Sequence, residues 1–263
     1  MKRAFPILTA VLLVLALAPL GSSGRVAAQA PSSAAAPPEW YSVAVIKVKP
    51  DMITEYVDLQ KKEVMPAQQK GGLKERAVWQ PAIFGPAYEY HVVTPIDGLA
   101  RYDSPSPMVN ALGEEGARTL QAKLRRLVDG SQTYLMRYRA DLSHAPQMTG
   151  PPKLALITFV STAAGRGTDF ANVIKSDVTP AVRKAQTGYF VYQTMLGGDV
   201  NGFVTVAPVE SFATLNLPSP IVKAMGQDAY DRLLAKTAGI VTGLERHVMR
   251  FNPDLSFRVA TTP

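Results

Sequence analysis

Alternating apolar positions mark the strands of this chain. Residues 41–48 (YSVAVIKV) and 154–161 (LALITFVS) are rich in β-branched side chains, are bounded by Pro or Gly, and are apolar on both faces, with Val43 and Val45 opposed by Ala44 and Ile46. A strand of that kind needs cover on both sides. Helical spacing follows each one: Ile53, Tyr56, Val57 and Val64 in the first place, Phe170, Val173, Ile174 and Val178 in the second. Pro66 and Pro180 stand at equivalent points beyond them and predict a kink or an end of that helix. Two strands come next in each case, ERAVWQ with AYEYHVVT and GYFVYQ with NGFVTVA, joined by a Gly-containing hairpin connection. A second helix is announced by PSPMVNALG at residues 105–113 and PSPIVKAMG at residues 218–226. Ser106 and Ser219 are suited to its N-cap, and Pro107 and Pro220 to its first turn, where a missing N–H costs nothing. Its buried stripe is Val109, Leu112, Leu120, Leu124 and Leu127, or Val222, Met225, Leu233 and Ile240. The strands QTYLMRYR and ERHVMRFN close the two units.

The doubled PSP phrase has an offset of 113 residues, from Pro105 to Pro218, and the same offset carries MRYRADLS onto MRFNPDLS and Gln80 onto Gln193. Upstream the offset becomes 114, which places VMPAQQK on VTPAVRK. Self-similarity over about a hundred residues points to a tandem duplication. Strand, helix, strand, strand, helix, strand is the ferredoxin-like order, whose sheet keeps one face bare of helices. The expected fold is therefore α+β: tandem ferredoxin-like βαββαβ repeats, residues 40–145 and 153–257, packed sheet to sheet as an intramolecular α+β barrel. Residues 146–152 are the expected linker and 258–263 a tail. In this element order and duplication the chain resembles the dimeric α+β barrel superfamily, which includes NIPSNAP-like and antibiotic-biosynthesis-monooxygenase-like domains. The resemblance spans about residues 40–256 and implies cofactor-free monooxygenases, haem-dependent enzymes or small-ligand binders as functional classes.

Residues 1–30 change the picture of where the chain works. Lys2 and Arg3 precede an apolar run of about a dozen residues, short of the roughly 20 needed to span a bilayer, and AQA ends at Ala30. This predicts a cleaved signal peptide, a flexible leader at 31–39, and an exported protein, periplasmic or extracellular, with no membrane span after cleavage. Loss of Lys2, Arg3 and Arg25 lowers the formal charge from +7 to +4. With no Lys/Arg run or aromatic-interleaved basic stripe, nucleic acid is not an expected partner. The chain contains no cysteine, so neither a disulfide nor a thiolate nucleophile is available. If two repeats cover each other within one chain, the protein should be a monomer, a pseudo-dimer, or at most a weak homo-oligomer.

Candidate chemistry is sparse. The three histidines, His91, His144 and His247, show no HxH, HxxxH or HExxH spacing, so no metal site is expected. Haem-binding relatives usually take an axial histidine from a helix, and the predicted helices carry none, so no cofactor is expected. The segment YEYH puts Tyr88 and Tyr90 on one strand face and Glu89 and His91 on the other. Glu89 and His91 could form an acid/base pair lining a cavity, or satisfy one another at a sheet edge. The catalytic candidates are His91, Glu89, Tyr88 and Tyr90, with Trp79 and Arg137 as ligand-binding candidates. Trp79 with Tyr192, and Tyr134 with Tyr138, also read as core aromatics; Arg137 and its counterpart Arg250 also read as structural ion pairs with Asp141 and Asp254 or Glu75. Any polar cavity is expected in the first half, between its sheet and helices, with the second half apolar and closed there. Two functions stay open: small-molecule binding or scaffolding in the cell envelope, or a cofactor-independent monooxygenase-like enzyme. The partner in either case would be a small apolar or aromatic molecule.

Overall fold

The computed structural model describes residues 38–146 and 150–259; the predicted signal peptide at 1–30 lies outside them, as do most of the leader and parts of the linker and tail. The first half contributes strands β1 (Trp40–Val48), β2 (Glu75–Pro81), β3 (Glu89–Ile96) and β4 (Val128–Tyr138). The second contributes β5 (Leu154–Thr162), β6 (Phe190–Leu196), β7 (Gly202–Val209) and β8 (Val241–Phe251). Hydrogen bonding runs β3-β1-β4-β6-β7-β5-β8-β2 and returns from β2 to β3, so eight antiparallel strands close into a barrel. Each half orders its strands fourth, first, third, second, and the fourth strand of one half bonds to the second strand of the other, β4 to β6 and β8 to β2. The expectation of two sheets packed face to face is corrected accordingly: their edges are hydrogen-bonded into one wall, which leaves no unpaired edge among these eight strands. A ninth short strand, β9 (Phe257–Arg258), pairs with the start of β2.

Strand alternation then sorts the side chains into layers. Val43, Met136, Ala155, Ile157, Val204 and Met249 fill the barrel lumen. On the outside, Val48, Val78, Tyr90 and Val92 pack beneath the first half's helices, and Val160, Val191 and Phe203 beneath the second's. The first helix of each half does not end at its proline. In the first half α1 (Ile53–Leu59) continues through a π-turn (Gln60–Val64) into α2 (Met65–Lys70); in the second, α4 (Gly167–Val173) continues through a π-turn (Ile174–Val178) into α5 (Thr179–Lys184). Pro66 and Pro180 fall in the first turn after the wide loop, where the absent N–H breaks no regular bond.

The PSP phrase caps the outer helices as expected: Ser106 Oγ accepts from Val109 N–H at 3.3 Å, and Ser219 Oγ from Val222 N–H at 3.2 Å. The glycine that ends the phrase has its own cause. Within α3 (Pro107–Leu127), Gly113 sits at φ 70° and ψ 173°; in the other half, Gly226 at φ 84° and ψ 157° separates α6 (Pro220–Met225) from α7 (Gln227–Thr237). Both break the helix after about two turns, which overturns the expectation of one continuous stripe. Leu112 is accordingly 42% exposed, while Leu120 is buried.

Candidate functional site in the barrel lumen

At one end of the barrel the lumen opens into a cavity of ≈ 490 Å³. The antiparallel pairing brings the ends of β1 and β5, the starts of β4 and β8, and both hairpin connections to this end. Its apolar lining includes Val43, Val45, Met136, Phe159 and Val204. Its polar groups include two Glu-x-His pairs, Glu89 with His91 on β3 and Glu245 with His247 on β8. The spacing of two is what aims both members of each pair at the lumen.

The two pairs differ. His91 Nε2 lies 3.5 Å from Glu89 Oε2 and makes no hydrogen bond, with side chains only 9% and 17% exposed. Burial pushes the His91 imidazole below its usual range, Glu89 opposes that shift, and the neighbouring His247 adds to it. His91 is thus held neutral, with a carboxylate at hand to stabilise an added proton. His247 Nε2 instead shares a 2.7 Å hydrogen bond with the exposed Glu245, while its buried Nδ1 has no partner. Its ring packs edge-on against Phe159 at 5.2 Å.

Strand β2 bonds to β8 and β3 only through residues 77–81. The connection that follows supplies Pro86 to the cavity lining and Gly85 to the imidazole of His247. A Cβ built on Gly85 would stand 3.2 Å from that ring, and the glycine's φ of 137° suits no other residue. Tyr134 completes the wall facing Glu89; burial raises its hydroxyl pKa, and the Glu89 charge raises it further.

The remaining sequence candidates go elsewhere. Tyr88 is exposed at φ 64°, outside the strand. Tyr90 faces the helices, its ring 5.0 Å from Tyr56. Trp79 packs in the lumen edge-on to Phe251, directly opposite His91 in strand register but not in the cavity lining. Arg137 is on the surface, paired with Glu39 and 5.7 Å from the Trp40 ring. The suggested pairing of Arg137 and Arg250 with Asp141, Asp254 or Glu75 is corrected: those carboxylates bind Arg139, Lys61 and Arg258. The cavity also lies between the halves rather than between the first half's sheet and helices, because alternation sends Glu89 and His91 inward and Tyr90 outward. Glu245 and His247 were missed although ERH repeats the Glu-x-His spacing of EYH. Among the described residues no group of three or more His, Asp or Glu is placed to hold a metal ion, and no helix is long and apolar enough to cross a membrane.

No family model and no curated protein matches the sequence. Solved structures do resemble its architecture. An anthrone oxidase-like protein superposes with a TM-score of 0.55 at 7% identity, covering 86% of this chain and 95% of its own. A candidate monooxygenase from Fusobacterium nucleatum subsp. nucleatum ATCC 25586 gives 0.53 at 13% identity, covering 81% and 92%. Another from Lactobacillus acidophilus NCFM gives 0.52 at 8%, covering 84% and 97%. The shared feature is the α+β barrel. At these identities the likeness establishes the fold, and the chemistry has to come from the cavity itself.

Proposed function

We propose that the lumen cavity is the active site of a cofactor-independent oxygenase acting on a small aromatic molecule with an acidic carbon–hydrogen bond. The observation that carries this reading is His91: a buried, neutral base on a cavity of mixed apolar and polar lining, with a carboxylate in ion-pair reach. His91 takes the proton, and Glu89 stabilises the imidazolium that results. The electron pair stays on the ring system, which is then electron-rich enough to reduce dioxygen directly. For an anthrone-type CH₂ flanked by two rings, one oxygen atom ends in the new carbonyl and the other in water, so CH₂ and O₂ balance C=O and H₂O. The His247–Glu245 pair stands in the same cavity to return protons to the reduced oxygen. A volume of ≈ 490 Å³ suits a ligand of two or three fused rings. The anthrone oxidase-like and monooxygenase-like neighbours support this choice over envelope binding or scaffolding, the other function considered from the sequence.

The chain is further read as two fused ferredoxin-like repeats of the kind found in NIPSNAP-like and antibiotic-biosynthesis-monooxygenase-like domains. Recurrence of the strand order, the π-turn, the serine cap and the glycine break in both halves supports that origin. An exported, monomeric protein is proposed on the sequence of residues 1–30 and on closure of the barrel within one chain.

Oxygen uptake with anthrone as substrate tests the function, with the buffer rate subtracted and Trp79 fluorescence following binding. Uptake above the buffer rate that falls at least a hundredfold in His91→Ala while binding persists is the expected result, in line with loss of a general base. Binding without turnover by the unaltered protein would return the reading to a ligand carrier, and absence of both would refute it.

A further inference from the structure

The second unusual place in the molecule lies on the other side of the first half's sheet, outside the barrel. Arg76 on β2 points into the layer beneath α1 and α2 and is 2% exposed. Among the described residues no carboxylate pairs with it. Two glutamine side chains are its hydrogen-bond partners: Nη1 donates to Gln68 Oε1 and Nη2 to Gln60 Oε1, each at 2.8 Å. Its Nε has no protein partner, and neither has the hydroxyl of Tyr56, which is 1% exposed. Glutamine oxygens carry no charge, so the guanidinium is buried without neutralisation, an arrangement that ordinarily costs several kcal/mol.

The other half shows that the fold does not require this. At the 113- and 114-residue offsets, Arg76 matches Tyr189, Tyr56 matches Phe170, Gln60 matches Ile174 and Gln68 matches Val182. Gln60 and Ile174 each open the π-turn of their helix, so the matching holds in three dimensions as well as along the chain. The four second-half residues form part of one buried apolar cluster. One half of the protein therefore packs this layer with hydrocarbon and aromatic rings, while its counterpart keeps a cation and two unused donors.

The geometry points to an internal binding site for a small monovalent anion of halide size, received by Arg76 Nε and the Tyr56 hydroxyl. The anion would supply the missing charge and accept from both orphaned donors. Burial shifts the Arg76 guanidinium and the Tyr56 hydroxyl in the directions that an enclosed anion would oppose and reinforce respectively, the first down and the second up. The site is separated from the lumen by the strand wall, since residues 76 and 78 face the helices and Trp79 the lumen. It stands whether or not the cavity turns over a substrate.

Thermal unfolding of the full chain at constant ionic strength, with chloride exchanged for gluconate, tests the assignment. Saturable stabilisation by chloride of roughly 5 °C is expected, the size that binding well above the dissociation constant produces in a domain of this length. A variant copying the second half, Tyr56→Phe with Gln60→Ile, Gln68→Val and Arg76→Tyr, should lose that dependence. Equal chloride dependence in both proteins, or none in the unaltered one, overturns the site. If the variant fails to fold, chlorine-35 line broadening by the unaltered protein decides: excess broadening displaced by bromide supports the site, and its absence overturns it.

Discussion

Replacing Gly113 by alanine separates two accounts of the outer helix by the sign of the effect. If residues 107–127 formed one continuous helix, as the apolar stripe predicts, alanine would remove backbone entropy from the unfolded chain and stabilise the protein by about 0.5–1 kcal/mol. In the structure Gly113 adopts φ 70° with ψ 173°, a region that residues with a Cβ enter only under strain. The added methyl meets nothing within 4 Å, so no collision contributes. The cost is torsional alone, roughly 1–3 kcal/mol, unless the helix straightens and drags Leu112 and the Ser106 cap out of place. Gly226→Ala presents the same case, at φ 84° with open space around its missing Cβ. Urea unfolding of both single variants and the double variant is the assay, with the slope checked for constancy. Each midpoint should fall, and the double variant should lose about the sum, because the two sites share no contacts. A thermal midpoint should drop by about 2–4 °C for each kcal/mol lost. A raised midpoint in either single variant refutes the helix break and restores the continuous stripe.

Ser106→Ala and Ser219→Ala should each cost about 0.5–1 kcal/mol, the lower part of the capping range because the bonds are 3.2–3.3 Å long, and denaturant midpoints read the loss. Stability should fall as pH drops from 7 through about 6.5, the usual histidine value, because burial depresses His91 in the folded state and the unfolded chain then binds more protons; the loss levels off below the folded value, and His91→Gln should flatten the profile in urea titrations across that window. Residues 40–145 expressed alone should dimerise or aggregate in sedimentation runs, since they leave the β4 and β2 edges and the lumen face uncovered; a stable, soluble monomer would falsify the role assigned to barrel closure.

Much of the architecture was legible because both halves carry the same periodic signals. Apolar residues on both faces of β1 demanded two covers, and Val43 with Val45 turned out to face the lumen while Ala44 with Ile46 faces helices. The prolines misled for a physical reason. A proline forbids one N–H bond and one carbonyl position, and a π-turn satisfies both constraints by widening the coil, an option invisible to a 3.6-residue period. The glycine break was equally silent, since glycine inside a helical stripe reads as a weak helix former until its torsions are known. Edge pairing between halves could not be read from either half alone, because β4 with β6 and β8 with β2 are contacts between non-equivalent strands.

That last point also explains why the site was half visible. Comparing positions 113 residues apart made His91 and His247 look unrelated, because the residues at that offset are Val204 and Tyr134. Closure places β3 and β8 on either side of β2, while β7 and β4 flank β6, four strands away around the barrel and thus on the opposite wall. The two Glu-x-His pairs stand on the first wall. Their counterparts, Gly202 with Val204 and Gln132 with Tyr134, stand on the second, and all eight residues line one cavity. The mismatch between halves is therefore a division between walls. A flat aromatic molecule entering the lumen meets two carboxylates and both imidazoles on one side; on the other, Asp199 of the β6–β7 connection is the one acidic group in the lining. Such a cavity gathers its imidazole bases on one face of its guest, where each stands beside a carboxylate that can stabilise the proton it takes. Two identical walls would have brought four carboxylates and four histidines into one enclosed space, where mutual repulsion would have neutralised some of them and cost the base its partner.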